Sequence, residues 1–249
     1  MMKWGAFFLG LLILAGGLIV AYMPLGYLLS RSGLGGLGVG WAQTQGTVTR
    51  GTISGLFTAH QAIGDVSLTL QPGALLSGQL RYRVDWGGVG GRGQGVVTVG
   101  PEQLQLSELR LRQHISAFES LMPPVRMIGG EIRLSDAALK LDRGGCVEAS
   151  GQIYSDALIR LSSQYGRGFG PLEGNLSCQN GALGVSLSSL SELEDQVKIV
   201  ATYSFAGLAE ARIEVSTGDS AMALALSQSG FTPQNGLWVL VSRLDGAIQ

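Results

Sequence analysis

Apolar and polar residues alternate with period two along most of this chain, which leaves little room for anything but β-strands. In "GQLRYRVDW", Leu80, Tyr82, Val84 and Trp86 fall on one side and Gln79, Arg81, Arg83 and Asp85 on the other. Side chains of a strand point alternately to its two faces, so this is the pattern of a half-buried strand. "DVSLTL" repeats it with Val66, Leu68 and Leu70, "EIRLS" with Ile132 and Leu134, and "LKL" with Leu139 and Leu141. Leu183, Val185 and Leu187 follow in "ALGVSLS", then Val197, Ile199, Ala201, Tyr203 and Phe205 in "QVKIVATYSF". "ARIEVS" and "MALALS" have the same rhythm and read as strands too. Composition agrees: charged residues are only 14% and there are 39 glycines, which suits short strands and tight turns better than solvent-facing helices. The expected fold is an all-β body of two similar β-rich halves, an antiparallel twisted sheet that is either open and curved or sandwich-like.

One stretch of the body departs from this rhythm. "SAFESLMPPV" reads as a short helix stopped by Pro123 and Pro124, because a prolyl ring cannot continue a helix interior. It also divides the body into a first half over 31–122 and a second over 123–249, whose openings share a weak Gly–strand–turn–strand repeat. "GGVGGRGQG" reads as a hairpin tip or loop; a phosphate cradle would need a following helix, and "VVTV" follows instead. Near the C-terminus Leu237, Trp238, Val239, Leu240 and Val241 are apolar on both faces. They form either a central strand or an edge on which a partner docks by adding a strand.

Ahead of the body, Trp4 to Leu29 holds no charged residue, with Lys3 before it and Arg31 after. The run is long enough to cross a bilayer as a helix, which takes about 20 apolar residues. Trp4, Phe7, Phe8, Leu11, Leu12, Ile13, Leu14, Leu18, Ile19 and Val20 are its apolar body, and Tyr22 and Tyr27 stand where interfacial aromatics would. The alternative is a cleaved signal peptide, whose apolar region is ordinarily about 7–15 residues. We take residues 1–30 as a short cytoplasmic stub and an uncleaved anchor, with the body outside.

Little in the body promises chemistry. A net charge of −1 offers no basic footprint for nucleic acid. His60 and His114 are isolated, without the clustered ligands that a metal requires. Glu192, Glu194 and Asp195 lie close together in "SELED", but carboxylates between two strands ordinarily mark a solvated turn, not an acid–base pair. No catalytic residue, metal ligand, cofactor or small-molecule substrate is expected.

Cys146 and Cys178 are the only cysteines. They are too far apart for a C-x-x-C redox pair, and without histidines they cannot complete a zinc shell. Two free buried cysteines and a disulfide staple between neighbouring strands both remain; an oxidising compartment outside the anchor favours the staple.

Taken together, the membrane run, "GTVTRGTISG", "LQPGALLSGQLRYRV", "GGEIRLSDAALKL", the C-x-x-x-x-G segment from Cys146 to Gly151 and the G-x-L-x-C-x-x-G segment from Gly174 to Gly181 resemble the protein N family of the bacterial type II secretion system. The resemblance runs to about Ser189. It implies a non-catalytic, inner-membrane-anchored periplasmic component near the assembly platform and the outer-membrane secretin, with Cys146 and Cys178 as a structural disulfide. The membrane and other secretion subunits are then the expected partners. A second similarity, to periplasmic proteins that carry lipid along a curved open sheet, implies an apolar face containing Leu80, Tyr82, Ile132, Leu134, Leu183 and Val185.

Overall fold

The structure is a computed structural model that describes residues 22–31, 39–58, 61–118, 123–165, 168–189, 195–204 and 208–245. The anchor residues from Trp4 to Val20, His60, Glu192, Glu194 and Phe205 lie outside them. Among the described residues no helix is long and apolar enough to cross a membrane. The chain forms two compact units, Met1–Val89 and Gly90–Gln249.

The first unit contains helix α1 (Leu25–Arg31) and strands β1 (Val39–Gly40), β2 (Gln43–Gly46), β3 (Arg50–Thr58), β4 (Gln61–Leu70) and β5 (Leu80–Gly88). A 3-10 helix, Pro72–Ser77, connects β4 to β5. All pairs are antiparallel, in the order β1-β3-β4-β5, with β2 also on β3. The alternation does what the sequence predicts. Val66 opposite Trp86 and Leu68 opposite Val84 share one face with Ile53, and Leu25 and Leu29 of α1 close over it. The Trp86 indole N–H donates to the Ile63 carbonyl at 2.6 Å, so the one polar atom of that half-buried ring is satisfied.

The second unit contains β6 (Gly91–Val99), β7 (Leu104–His114), α2 (Pro123–Ile128), β8 (Glu131–Asp142), β9 (Gly145–Ser155), α3 (Ala157–Tyr165), β10 (Leu172–Gln179), β11 (Ala182–Ser189), β12 (Gln196–Tyr203), β13 (Leu208–Ser216), α4 (Ser220–Gln228), β14 (Thr232–Gln234) and β15 (Leu237–Asp245). Its sheet is an antiparallel meander in which β6 to β13 lie in chain order, followed by β15 and then β14. The order is linear, so the sheet is open. β7 and β8 each change which sequence parity faces inward: Leu104 and Leu106 give way to Leu109 and Leu111, and Ile132 and Leu134 to Ala137 and Leu139. Register shifts absorb the extra residue in both strands, beside Glu108 (φ 53°) and Asp136 (φ 48°). Such a bulge keeps the apolar set on one face where strict alternation would turn it outward.

Three expectations need correction. "MALALS" is not a strand but the body of α4. Asp219 caps that helix, its Oδ1 accepting from the Ala221 N–H at 2.7 Å and the Met222 N–H at 2.9 Å. Met222 and Leu226, four residues apart, reach the core, so helical spacing overrides the alternation of a short run. Pro123 and Pro124 open a helix, since the first helical turn needs no amide donor and the ring presets φ; the residues 119–122 just ahead of them, expected to be helical, lie outside the described residues. The glycine-rich stretch is strand from Gly91 onward, with the turn confined to Val89 and Gly90. The helix α3 has no counterpart in the expected all-β body.

Candidate functional site

In the second unit the register places one apolar face across many strands, because directly paired residues share a face. Leu134 pairs with Ile153, which pairs with Gly174, which pairs with Leu187 and then Ile199 and Ile213. Ile132, Leu134, Leu183 and Val185, expected on one apolar face, all lie on this one. Leu80 and Tyr82 belong to the first unit, where Tyr82 pairs with Leu70. No side chain fits at position 174: a Cβ there would overlap the Ser186 carbonyl, so glycine is required by close approach.

This face is covered over only part of its length. At one end Phe169, Leu172, Val197, Val215 and Leu226 form a buried cluster, with Leu158 and Leu161 of α3, Met222 of α4 and Trp238 packed against it. Along β12 the cover then runs out, from buried Val197 to Tyr203, which is 47% exposed. Leu183, Val185, Ala201, Tyr203, Ala209 and Ala211 line a shallow depression of about 170 Å³ there, almost wholly apolar. Neither α3 nor α4 is expected from the strand pattern, and these two helices decide which half of the face is covered.

The predicted docking stretch is divided by its neighbours. Trp238, Val239, Leu240 and Val241 all pair with β13. On the opposite side Leu237, Trp238 and Val239 pair with Gln234, Pro233 and Thr232 of β14. Val239 is only 2% exposed, while Val241 is 42% exposed. Among the described residues no strand pairs with the outer side of β15 from Leu240 to Asp245, which leaves a row of backbone groups able to accept an added strand.

Cys146 and Cys178 form a disulfide with Cα atoms 5.5 Å apart. Its position explains its use. The β9–β10 ladder runs from Leu172 opposite Ser155 to Asn175 opposite Gln152 and stops there. Pairing resumes only at the bridge between Cys146 and Gly181, where the Cys146 N–H donates to the Gly181 carbonyl at 2.8 Å. The disulfide closes the interval in which the ladder has lapsed.

The polar groups are occupied structurally. His114 ends β7 and lines a polar cleft with Arg92, Arg112 and Glu131. Glu131 pairs with Arg133 at 3.2 Å and Arg112 at 3.8 Å. Asp156 accepts from the Glu131 N–H at 2.6 Å and pairs with Arg160 at 3.2 Å. Burial raises the Asp156 carboxyl, but these two partners outweigh it and hold it below the ordinary aspartate value. Among the described residues no group of three His, Cys, Asp or Glu side chains is placed to hold a metal ion.

A family model described as type II secretion system (T2SS), protein N matches residues 37–240, well over half of the chain. No curated protein and no solved structure matches it.

Proposed function

This chain belongs to the type II secretion system protein N family, and from that premise we propose that it is a single-pass inner-membrane protein with its N-terminus in the cytoplasm and its β-body in the periplasm. There it is a non-catalytic subunit that supports the export of folded proteins by docking to other secretion subunits, on the assembly platform or the secretin. The observation that carries this reading is the outer side of β15 from Leu240 to Asp245, which among the described residues is unpaired while the other side of the strand is paired throughout with β13. Strand addition there supplies affinity through backbone hydrogen bonds and specificity through alternate side chains. The disulfide and the charge-free run that begins at Trp4, ahead of the sheet, support the placement.

A photo-crosslinking residue at Val241, compared with one at Val239, tests the docking edge in cells that carry the whole secretion system. Adducts with another secretion subunit at 241 and not at 239 support the reading; only self-adducts at 241 overturn it. The uncovered apolar depression around Tyr203 favours a second reading, in which the open face carries an acyl chain. Native mass spectrometry of the purified protein separates the two: retained phospholipid supports lipid handling. A deletion strain with normal lipids and exoproteins trapped in the periplasm supports secretion alone.

A further inference from the structure

Three connections of the first unit are bound together at one end of its sheet. The Val48 N–H donates to the Met23 carbonyl at 3.0 Å, and Pro24 bridges to Thr47. The Leu70 N–H donates to the Thr49 carbonyl at 2.8 Å, and the Gln71 N–H to the Arg81 carbonyl at 2.7 Å. The point where the chain arrives from its N-terminal run therefore sits beside the β2–β3 turn and the β4–β5 connection. That connection, the 3-10 helix Pro72–Ser77, presents Leu76 at 95% exposure and Leu75 at 47%, with Leu80 also exposed. No charged residue occurs from Val66 to Leu80.

Charge is arranged around this tip. Arg50 and Arg83 both pair with Thr69, one rung from the end of β4, and Arg81 lies at the start of β5. The acidic residues of the described part of this unit, Asp65 and Asp85, sit farther along, opposite Gly87 and Ser67. Among the described residues none of the three arginines pairs with a carboxylate, and the Arg81 Nε is buried without a hydrogen-bond partner. An apolar tip inside a collar of cations is the chemistry of a surface that enters the headgroup layer, with arginine stems spread over apolar ground.

We propose that this end of the first unit rests on the membrane, with Leu75 and Leu76 in the outer acyl region and Arg50, Arg81 and Arg83 on anionic lipid phosphates. The inference rests on the reading of Trp4–Val20 as an anchor and adds the contact made beyond it. A span ending at Val20 leaves only Ala21 and Tyr22 before Met23 is bonded to the sheet. Fully extended, two residues reach about 7 Å, so the sheet end cannot stand clear of the bilayer.

The test uses the full chain in vesicles of phosphatidylcholine and phosphatidylglycerol in equal parts. Single cysteines at Leu76 and, as a control, Val89 carry an environment-sensitive dye; the native cysteines are disulfide-bonded and do not label. Val89 is 82% exposed and follows β5 at its opposite end. The dye at 76 shifts to the blue and is quenched by bromolipids, whereas that at 89 stays water-like. Replacing Arg50, Arg81 and Arg83 together by Gln, or removing the phosphatidylglycerol, lowers quenching at 76 about twofold or more. A dye at 76 as unquenched as that at 89, in protein that resists carbonate extraction, leaves the anchor standing and overturns this contact. Release by carbonate removes the anchor reading and this inference with it.

Discussion

Breaking the disulfide perturbs a defined place, the interval where β9 and β10 no longer share ladder hydrogen bonds. Cys146 and Cys178 are 32 positions apart. Closing a loop of that length removes chain entropy from the unfolded state worth about 3.7 kcal/mol at 25 °C in the loop-closure treatment. The substitutions of choice are Cys146→Ala and Cys178→Ala, since Cys146 is buried and a serine would place a hydroxyl there. Each lowers unfolding stability by about 3–4 kcal/mol, and the double variant adds almost nothing, because one bond is lost in all three. In a unit of this size that corresponds to about 7–15 °C in Tm. The assay is equilibrium urea unfolding of the full chain in mild detergent, with and without dithiothreitol. Reductant brings the wild type down to the level of the variants and leaves the variants unchanged. Single variants that differ from each other by more than about 1 kcal/mol, or a wild type indifferent to reductant, would refute the assignment of this stability to the staple.

Two further outcomes follow from local chemistry. Asp219→Ala removes the cap of α4 and with it part of the cover over the second core, costing about 1 kcal/mol in urea unfolding, while Asp219→Asn retains most of the stability. Asp156 has a folded-state pKa below its ordinary value of 3.8, so its contribution is present above that pH and lost as the pH falls through the folded value. Thermal scans of Asp156→Asn therefore show a deficit near neutrality that closes toward the wild type in strong acid; a gap independent of pH would exclude this role.

Strands were the most legible part of the chain. Val66, Leu68, Val84 and Trp86 alternate in sequence and meet in one core, because a strand's period of two maps sequence directly onto faces. Where a bulge changes parity, as between Leu134 and Ala137, the apolar residues themselves mark the shift. Helices were lost because short apolar runs satisfy both periods, and "MALALS" is one of them; Asp219 just ahead was the cue that distinguishes the two. Asn180–Gly181 and Asn235–Gly236, both left-handed in the structure, mark tight hairpins that a search for Asn-Gly turns would have found. The docking stretch is apolar on both faces in its composition. Its division by β14 was not legible, since Thr232–Gln234 is too short and polar to announce itself as a strand. The open half of the apolar face depends on where α3 and α4 end, which is a tertiary fact.

The meander of the second unit carries a consequence for how the protein is made. From β6 to β12 each strand's partners are the strands before and after it in the chain. Every addition then closes only a short loop, and the entropy of long-range pairing is never demanded at once. A chain released N-terminus first can add strands one at a time, each completed edge serving as the template for the next. The disulfide joins β9 and β10, neighbours in the chain, so it fixes a pairing that needs no long-range search. Among the described residues this stepwise pairing stops at the outer side of β15 from Leu240 to Asp245, which keeps the backbone geometry of a strand that could still be extended.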